Sequence, residues 1–309
     1  MIAGNKIFCH LDNGKKPVTA DIFLTDYCNN ACPYCNYGRY VERKGEYMPY
    51  EKFIEYVDRM WNDLGVEGFI LTGGGEPTLN PDFDKITAFL ERAEVPYGIN
   101  TNFNVYKDCE PTFLKVSLDG YDRESYKRRR GVDAFAETIE NIKRFRKEHV
   151  ATNLGIQMMA TNLKDVEQFY FKNRELDFDY MVFRPVESCG GEYYKDFLKY
   201  QEQRYIVSFV KKLASLDSRV VLNYKFGFIG ENVSDCPAHW SQLCLNPRGE
   251  VVYCCHKPNQ IVGHIMDEDI ILKHNLATFN HEDCDTPCRL SGPNAALRGL
   301  KEIDERMFI

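Results

Sequence analysis

Apolar and polar positions follow two alternating patterns along the first two thirds of the chain. Short apolar runs are separated by longer segments whose apolar residues recur every three to four positions, the spacing of an amphipathic helix. The short runs predict strands at residues 20–25, 67–75, 96–102, 113–120, 153–161 and 180–186. The longer segments predict helices at residues 50–65, 82–93, 134–149, 163–176 and about 192–215.

Strands that alternate with helices over this length predict an α/β fold with a parallel sheet and crossover helices. Because the alternation continues without a break, it favours a partial (β/α)6 TIM-type barrel. An open doubly wound sheet would produce the same alternation, and periodicity alone does not separate the two folds.

The pattern changes after about residue 218. The stretch QLCLNPRGEVVYCC at 242–255 predicts a β-hairpin with its turn at 247–249. Helices are predicted near 267–279 and over about 292–306. This part of the chain is rich in cysteine and too small for a large core, so we expect a bound metal to stabilise it.

These patterns divide the chain into three parts. Residues 1–19 form an N-terminal segment, residues 20–217 the barrel, and residues 218–309 a small module of a β-hairpin and helices.

Composition narrows the class of protein. The chain has 309 residues, of which 44% are hydrophobic and 28% charged, and its net charge is -7. The acidic balance argues against a nucleic-acid partner. No apolar run reaches the length of about 18 residues needed to cross a membrane, and the first residues lack the layout of a signal peptide. We therefore expect a cytoplasmic protein with no membrane partner.

The twelve cysteines are the strongest chemical signal in the composition. Cytoplasmic thiols stay reduced, so groups of cysteines indicate metal sites rather than disulfides. One group is Cys28, Cys32 and Cys35, and a second contains Cys236, Cys244, Cys254, Cys255, Cys284 and Cys288. Cys9, Cys109 and Cys189 stand alone, and single cysteines usually behave as small apolar side chains.

The first group lies in the stretch CNNACPYC, directly after the first predicted strand. In a parallel α/β fold, the loops at the carboxyl ends of the strands build the active site. Three thiolates suit a [4Fe-4S] cluster in which one iron lacks a protein ligand. A zinc site with a distant fourth ligand such as His10 is the alternative.

A glycine-rich stretch, TGGGEPTLNP, follows the second predicted strand. Its glycines at 73–75 allow a ligand to approach the backbone closely, and Glu76 can accept a hydrogen bond from an ammonium group. Alone, the stretch also fits a tight turn between a strand and a helix.

Together, C-x3-C-x-Y-C after the first strand and GGGEP after the second resemble the radical S-adenosylmethionine (radical SAM) superfamily over about residues 20–215. The resemblance implies a partial barrel in which Cys28, Cys32 and Cys35 bind a [4Fe-4S] cluster and SAM chelates the fourth iron. It implies reductive cleavage of SAM to a 5'-deoxyadenosyl radical, which abstracts a hydrogen atom from the substrate. It also implies an external reductant of the flavodoxin or ferredoxin type.

The same resemblance assigns SAM contacts to residues near the strand ends. Tyr34 corresponds to the aromatic residue that flanks the adenine, and Glu76 to the acidic residue that meets the methionine amine. Ser117 and Asp119 resemble the strand end near the ribose, and Arg130 the basic residue that pairs with the methionine carboxylate. The implied SAM contacts are Tyr34, Gly73, Gly74, Gly75, Glu76, Asn100, Asn102, Ser117, Asp119 and Arg130.

The cysteine-rich tail resembles the SPASM/twitch extension of the same superfamily, through a G-x4-C motif and the stretch CDTPC. Six cysteines cannot fill two clusters of four ligands, so the resemblance favours one auxiliary [4Fe-4S] cluster. The ligands that we expect are Cys236, Cys254, Cys284 and Cys288. Cys244 or Cys255 could replace a member of this set, although Cys255 should face away from Cys254 if the strand continues. A structural four-cysteine zinc site is the alternative.

The resemblance leaves the reaction open. We expect oxidation or crosslinking of a peptide or a small polyhydroxylated molecule, a reaction in which the auxiliary [4Fe-4S] cluster takes part. Because 27 residues precede Cys28, we expect no N-terminal leader-binding domain. One alternative is a redox-neutral epimerase in which Cys189 donates a hydrogen atom. Arg184 and Glu187, on the same segment, could bind polar groups of the substrate or form a salt bridge. Another is a non-catalytic iron-sulfur or zinc protein.

Overall fold

The computed structural model describes residues 15–35, 37, 44–186, 200–228, 235–278, 284 and 288–298. Within these residues, ten strands form one sheet: β1 Thr19–Phe23, β2 Phe69–Thr72, β3 Tyr97–Thr101, β4 Phe113–Ser117, β5 Asn153–Ala160, β6 Tyr180–Pro185, β7 Val220–Leu222, β8 Gln242–Leu245, β9 Glu250–Cys254 and β10 Lys257–His264. The described helices are α1 Tyr50–Asp58, α2 Phe83–Arg92, α3 Arg123–Arg130, α4 Phe135–Glu148, α5 Leu163–Asn173, α6 Tyr200–Leu216, α7 Ile270–Leu276 and α8 at 291–298. A π-helical turn, Arg59–Asp63, continues α1, and short 3-10 turns occupy Pro77–Leu79, Tyr224–Phe228 and His239–Ser241.

Strands β1 to β7 lie side by side in chain order, and each pairs with the next in parallel. A doubly wound sheet would reverse its strand order at a switch point. The observed order contains no such reversal, so the partial barrel is confirmed over the open doubly wound sheet. All six strands predicted before residue 187 are present within two or three residues of their expected ends.

Alternate residues of β1 to β6 divide between the two faces of the sheet. The outer face packs under the helices and contributes fully buried apolar side chains to the main core, among them Ile22, Leu71, Ile99, Val116 and Ile156. Burying each such side chain contributes about 1.5–3 kcal/mol to folding. The inner face carries polar side chains beside apolar and aromatic ones, and the polar ones include Asp21, Thr72, Asn100, Lys115 and Arg184. Function is therefore expected on the inner face.

Two glycines on the inner face make room for aromatic rings on neighbouring strands. Gly98 is paired in register with Phe113, and a Cβ atom at Gly98 would lie 2.0 Å from that ring. Gly155 is paired with Tyr180 in the same way, with a closest approach of 2.0 Å. The rings therefore fold across the glycine backbone on the inner face of the sheet.

Helix α3 is not predicted by the apolar pattern, because its sequence RESYKRRR is dominated by charge. Its ends are nonetheless encoded locally. Asp122 and Ser125 form a reciprocal capping box at its start, and Gly131 ends it with a φ of 74°. Arg130 is its last residue, so this helix places a predicted SAM contact.

The predicted hairpin is present as β8 and β9, and Gly249 supplies the positive φ of 79° in its turn. Strand β8 pairs in parallel with β1, so the hairpin extends the barrel sheet beyond β1. Strand β10, which the sequence did not predict, adds to β9 in antiparallel fashion. The predicted helix near 267–279 is observed as α7. The domain boundary after residue 217 stays a prediction.

The predicted start of helix 192–215 and the end of helix 292–306 lie outside the described residues; the rest of each is present as α6 and α8. In the described part of the chain, no helix is both long enough and apolar enough to span a bilayer.

Candidate cofactor site

A cavity of about 280 Å³ lies where the inner face of the sheet meets the loops that follow its strands. The three cysteines of the first group and all ten residues expected to contact SAM line it. These are Cys28, Cys32, Cys35, Tyr34, Gly73, Gly74, Gly75, Glu76, Asn100, Asn102, Ser117, Asp119 and Arg130. The structure thus brings together residues that the sequence places in five separate loops and strand ends.

The loop that carries the three cysteines is anchored by two other elements. The Ala31 backbone N–H donates to the carbonyl of Arg130 over 3.0 Å, which joins the loop to the end of α3. Asn102 Nδ2 donates to Asn29 Oδ1 over 2.7 Å, which joins it to the end of β3. Burial raises the pKa of the Cys32 thiol to about 11, and the nearby Arg130 opposes this shift. Binding of a cation would remove the proton, because the thiolate is the ligand form.

The glycine-rich loop interlocks with the backbone next to the cysteines. The Gly75 N–H donates to the carbonyl of Thr25 over 2.7 Å, and the Glu76 N–H to the carbonyl of Tyr27 over 2.8 Å. A Cβ atom at Gly75 would lie 1.9 Å from the Tyr27 carbonyl oxygen, and one at Gly74 would lie 2.5 Å from the Tyr37 ring. Only glycine fits this approach.

The Glu76 carboxylate is buried and accepts hydrogen bonds at both oxygens. Oε1 accepts from the Thr101 hydroxyl over 2.6 Å and from the Thr78 hydroxyl over 2.8 Å, and Oε2 accepts from the Asn102 N–H over 2.7 Å. Burial raises the pKa of Glu76, and these bonds act in the opposite direction. They fix the carboxylate in position, and Oε2 keeps acceptor capacity for a ligand ammonium.

Arg130 and Asp119, expected to contact different parts of SAM, form a buried ion pair with each other. Arg130 Nη1 donates to Asp119 Oδ2 over 2.9 Å, and Asp119 Oδ1 accepts from the Met159 N–H over 2.6 Å. Asp119 adopts a φ of 52°, a conformation uncommon outside glycine, which turns its side chain toward α3 and β5. The sequence identified both residues but not their pairing.

The cavity contains unsatisfied polar atoms that test its fit to SAM and a cluster. Within the described part of the chain, Tyr34 Oη and Asn100 Oδ1 are buried without a hydrogen-bond partner. Such atoms are costly unless a ligand satisfies them. Three thiols, two orphaned polar groups and a glycine cradle fit a [4Fe-4S] cluster with a polar amino-acid ligand beside it.

Several lining residues were not identified from the sequence, namely Asn30, Tyr37, Thr72, Thr101, Gln157 and Met159. The signal that could have found Gln157 is its position, because it alternates with apolar outward-facing residues on β5. Gln157 Nε2 donates to Ser117 Oγ over 2.8 Å, and Arg184 Nη1 donates to Gln157 Oε1 over 3.2 Å. Arg184, expected to bind substrate, therefore also lines the cavity.

In the tail, three of the four expected auxiliary ligands, Cys236, Cys254 and Cys284, lie close enough to Tyr253 to raise the pKa of its hydroxyl, although burial is the larger cause. The fourth, Cys288, lies close enough to Cys236 to raise the pKa of that thiol. Burial raises the pKa of Cys236 to about 12, and Asn294 Nδ2 donates to its sulfur over 3.3 Å. Cys236 and Cys288 pack against a small apolar cluster that includes Trp240.

Cys244 and Cys255 form a separate group with Asp21, whose ligand atoms lie within 4.8 Å of one another. Cys244 is paired in register with Asp21, and Cys255 lines the interior of the barrel. The structure therefore gives the two cysteines surroundings different from those of the four expected ligands. Which cysteines bind the auxiliary cluster stays a prediction.

Other predicted residues lie outside the described part of the chain. They are Cys189, the expected hydrogen donor of an epimerase, together with Glu187, Cys9 and the alternative zinc ligand His10. Cys109 is buried in the main core and behaves as a small apolar side chain.

Part of the barrel matches a known protein family. The family model described as Radical SAM superfamily matches residues 22–171. A probable GTP 3',8-cyclase of Pyrococcus horikoshii is 31% identical over 157 residues, which cover 48% of this chain and 50% of that protein. The subtilosin biosynthesis protein AlbA of Bacillus subtilis is 22% identical over 279 residues, 82% of this chain and 58% of AlbA. The matched part of this chain spans 50% and 58% of the length of these two curated relatives.

Solved structures share the fold. Streptococcus suis SuiB bound to its precursor peptide SuiA aligns with a TM-score of 0.67 at 18% identity, covering 93% of this chain and 72% of SuiB. The protein anSMEcpe with bound AdoMet aligns with a TM-score of 0.63 at 20% identity, covering 84% of this chain and 81% of that protein.

Proposed function

Because residues 22–171 match the Radical SAM superfamily, we propose that this chain is an enzyme that oxidises or crosslinks a peptide or a small polyhydroxylated molecule. The observation that carries the proposal is the meeting of the C-x3-C-x-Y-C loop and the GGGEP loop in one cavity at the strand ends. A scaffold protein would have no need of a buried carboxylate beside three thiols. Radical SAM enzymes use a [4Fe-4S] cluster and SAM, and the donor set of the cavity fits both.

Different residues are expected to hold the cluster, the methionine amine and the methionine carboxylate. Cys28, Cys32 and Cys35 would hold the cluster, Glu76 the methionine amine, and Arg130 the methionine carboxylate. When bound, the cluster and SAM supply one-electron cleavage of SAM and an adenosyl radical able to abstract hydrogen from a substrate C–H bond. The protein's own part is to orient these groups and to exclude water from the reaction.

We also propose an auxiliary [4Fe-4S] cluster, bound by Cys236, Cys254, Cys284 and Cys288. Sulfurs bound to one zinc ion lie about 3.8 Å apart, because each Zn–S bond is about 2.3 Å in tetrahedral geometry. In the part of the chain that the structure describes, no three of these four sulfurs lie within 4.8 Å of one another. The four sulfurs are therefore not arranged as the ligands of a single zinc ion. Oxidation removes two electrons from the substrate, and such a cluster would accept the second.

A peptide substrate is supported by two of the similar proteins. SuiB is solved with its precursor peptide, and AlbA is named for the biosynthesis of a bacteriocin. We propose a flavodoxin- or ferredoxin-type protein as the electron donor. The epimerase alternative rests on Cys189 and stays a prediction.

Anaerobic reconstitution tests the proposal. Two clusters predict about eight irons per chain, and reduction in the presence of SAM should release 5'-deoxyadenosine. Incubation with candidate peptides and polyols should give a product that has lost two hydrogens. A product of unchanged mass that carries solvent deuterium would instead support the epimerase. A fully loaded protein that releases no 5'-deoxyadenosine would contradict the proposal.

A further inference from the structure

Asp21 is a buried carboxylate on the first strand of the barrel, and the proposed function gives it no role. It is 1% exposed and is paired in register with Ile70 of β2 and with Cys244 of β8. Its Oδ2 accepts a hydrogen bond from Arg289, with which it forms an ion pair. Its Oδ1 is buried and has no hydrogen-bond partner in the described part of the chain. A buried carboxylate oxygen without a partner is costly, and a bound cation would remove that cost.

Two thiols lie beside this carboxylate. The sulfurs of Cys244 and Cys255 and a carboxylate oxygen of Asp21 all lie within 4.8 Å of one another. The ligand atoms of one zinc ion lie about 3.5–3.8 Å apart in tetrahedral geometry, so the three atoms would have to approach one another by about 1 Å or less. The same distance limit excludes the four expected ligands of the auxiliary cluster among the residues that the structure describes.

The types of donor atom in this group favour zinc. Thiolates are soft ligands that select against magnesium and calcium, and zinc accepts both cysteine sulfur and carboxylate oxygen. Three protein ligands would leave the fourth position of a tetrahedral zinc ion open. Asp21 and Cys255 line a second cavity, of about 470 Å³, inside the barrel. A zinc ion held by this group would therefore lie at the wall of that cavity.

Arg289 completes the charge balance of such a site. Two thiolates and one carboxylate carry three negative charges, of which Zn²⁺ neutralises two. Arg289 interacts electrostatically with Asp21 and with both cysteines, so it can neutralise the third. Its bond to Asp21 Oδ2 also holds the carboxylate in place while Oδ1 stays available, the arrangement typical of a carboxylate ligand with an outer hydrogen-bond partner.

The neighbouring amide of Gln242 does not satisfy the carboxylate. Gln242 lies two positions before Cys244 on β8, and it is close enough to Asp21 to interact with it. Its Nε2 and Asp21 Oδ1 nevertheless do not bond to each other, since each is buried without a hydrogen-bond partner among the described residues. The unsatisfied oxygen thus remains directed at the two thiols rather than at a protein donor.

We propose that Asp21, Cys244 and Cys255 form a zinc site, separate from the two iron-sulfur clusters, whose fourth position opens on the second cavity. This cavity adjoins the cofactor cavity, because the two share the lining residues Thr72, Gly73, Asn100 and Arg184. The open position would bind water or a donor atom of a molecule that enters the barrel. The site does not depend on which reaction the enzyme catalyses.

Zinc can be measured separately from the iron of the clusters. The anaerobically reconstituted holoenzyme, at its full iron content, is equilibrated with zinc in a chelator buffer and dialysed, and both metals are then counted by mass spectrometry. We expect about one zinc per chain with the iron content unchanged. The X-ray absorption spectrum at the zinc edge should show two sulfur ligands at about 2.3 Å and oxygen or nitrogen ligands at about 2.0–2.2 Å.

Single substitutions test the ligand set. Cys244→Ala, Cys255→Ala and Asp21→Asn should each weaken zinc binding about tenfold or more, since even the outer partners of metal ligands contribute about 10- to 100-fold to affinity. Asp21→Asn keeps the shape of the side chain and so serves as a second kind of variant if an alanine variant fails to fold. Cys109→Ala removes a thiol that is buried in the main core, and as the matched control it should bind zinc like the wild type.

Three outcomes would overturn the site. The first is a wild-type holoenzyme that binds no zinc, or one whose zinc is surrounded by four sulfurs. The second is unchanged zinc affinity in Cys244→Ala and Cys255→Ala. The third is a loss of iron from these two variants, which would assign their cysteines to the auxiliary cluster. Circular dichroism verifies that each variant is folded. Release of 5'-deoxyadenosine is scored separately, so the zinc site can fail while the proposed function stands.

Discussion

Arg130 Nη1 lies 2.9 Å from Asp119 Oδ2, and the pair is buried at the wall of the cofactor cavity. The carbonyl of the same arginine accepts a hydrogen bond from Ala31 in the cysteine loop. Arg130 thus connects three parts of the site: the cysteine loop, the end of β4 and the last turn of α3.

Arg130→Met is expected to destabilise the protein by about 3–5 kcal/mol, because it leaves the Asp119 carboxylate buried and unpaired. It should also weaken SAM binding, measured by equilibrium dialysis. Chemical unfolding followed by circular dichroism measures the stability. Arg123→Met is the control on the same helix, since its side chain is 72% exposed in an ion pair with Asp133. Equal stability of the two variants would contradict the structural role of the buried pair.

Gly75→Ala is expected to weaken SAM binding by about tenfold or more, since its Cβ atom would meet the Tyr27 carbonyl at 1.9 Å and displace the loop that carries Glu76. Gly227→Ala is the control, because a Cβ atom there meets nothing within 4 Å. SAM affinity of the reconstituted protein is the measurement. Normal affinity in Gly75→Ala would show that the close approach of the two loops does not shape the site.

The pKa of Lys115 predicts a pH-dependent stability. Its folded pKa, about 7, lies below the unfolded value of 10.5, so protonated Lys115 opposes folding. Between these pH values the unfolded chain binds more protons, and wild-type stability therefore rises relative to Lys115→Met as pH increases. Lys115 lines the interior of the barrel together with the charged groups of Asp21, Arg184, Lys225 and Arg289. His256 and Cys255 line the same space and can also titrate.

Unfolding of both proteins at pH 6 to 10 checks this prediction. Lys115→Met should be the more stable protein near pH 6, and its advantage should shrink as pH rises above 7. A constant difference across the range would mean that Lys115 titrates normally in the folded state.

Substitution of single tail cysteines tests the auxiliary ligand set. Cys236→Ala or Cys254→Ala should lower the iron content from about eight to about four per chain, because a cluster that loses one of its four cysteines is expected not to assemble. Cys244→Ala and Cys255→Ala should keep the full content, and buried Cys109→Ala controls for the loss of a thiol. Loss of iron in Cys244→Ala or Cys255→Ala, with normal iron in Cys236→Ala, would overturn the expected set.

Local patterns predicted strands β1 to β6 and the hairpin, and the resemblance to the radical SAM superfamily implied which residues line the cofactor cavity. Each short apolar run is a strand, and the chemistry-bearing residues follow directly after these runs. In a parallel sheet, the carboxyl ends of the strands meet at one edge, so these residues converge. The convergence of Cys32, Glu76 and Asn102 was therefore accessible from the sequence.

Contacts between side chains that lie far apart in the sequence could not be predicted in this way. Two members of the basic run, Arg129 and Arg130, are buried in ion pairs with Asp165 and Asp119, although a run of charges usually indicates a solvated surface. Strand β7 has only three residues, and the eight residues of β10 include few apolar ones, so neither strand shows a recognisable period.

The ion pair inside the barrel could not be predicted from the sequence either. It joins Asp21 and Arg289, which are 268 positions apart, and no periodic pattern links such residues. Contacts of this kind depend on which inward-facing side chains the closed sheet brings together.

The most direct test of the central claim is the release of 5'-deoxyadenosine from SAM by the anaerobically reconstituted, reduced protein. The account predicts release by the wild type and by Cys109→Ala, and none by a variant in which Cys28, Cys32 and Cys35 are all alanine. Release by the triple variant at the wild-type rate, or no release by a wild-type protein with its full iron content, would contradict the account.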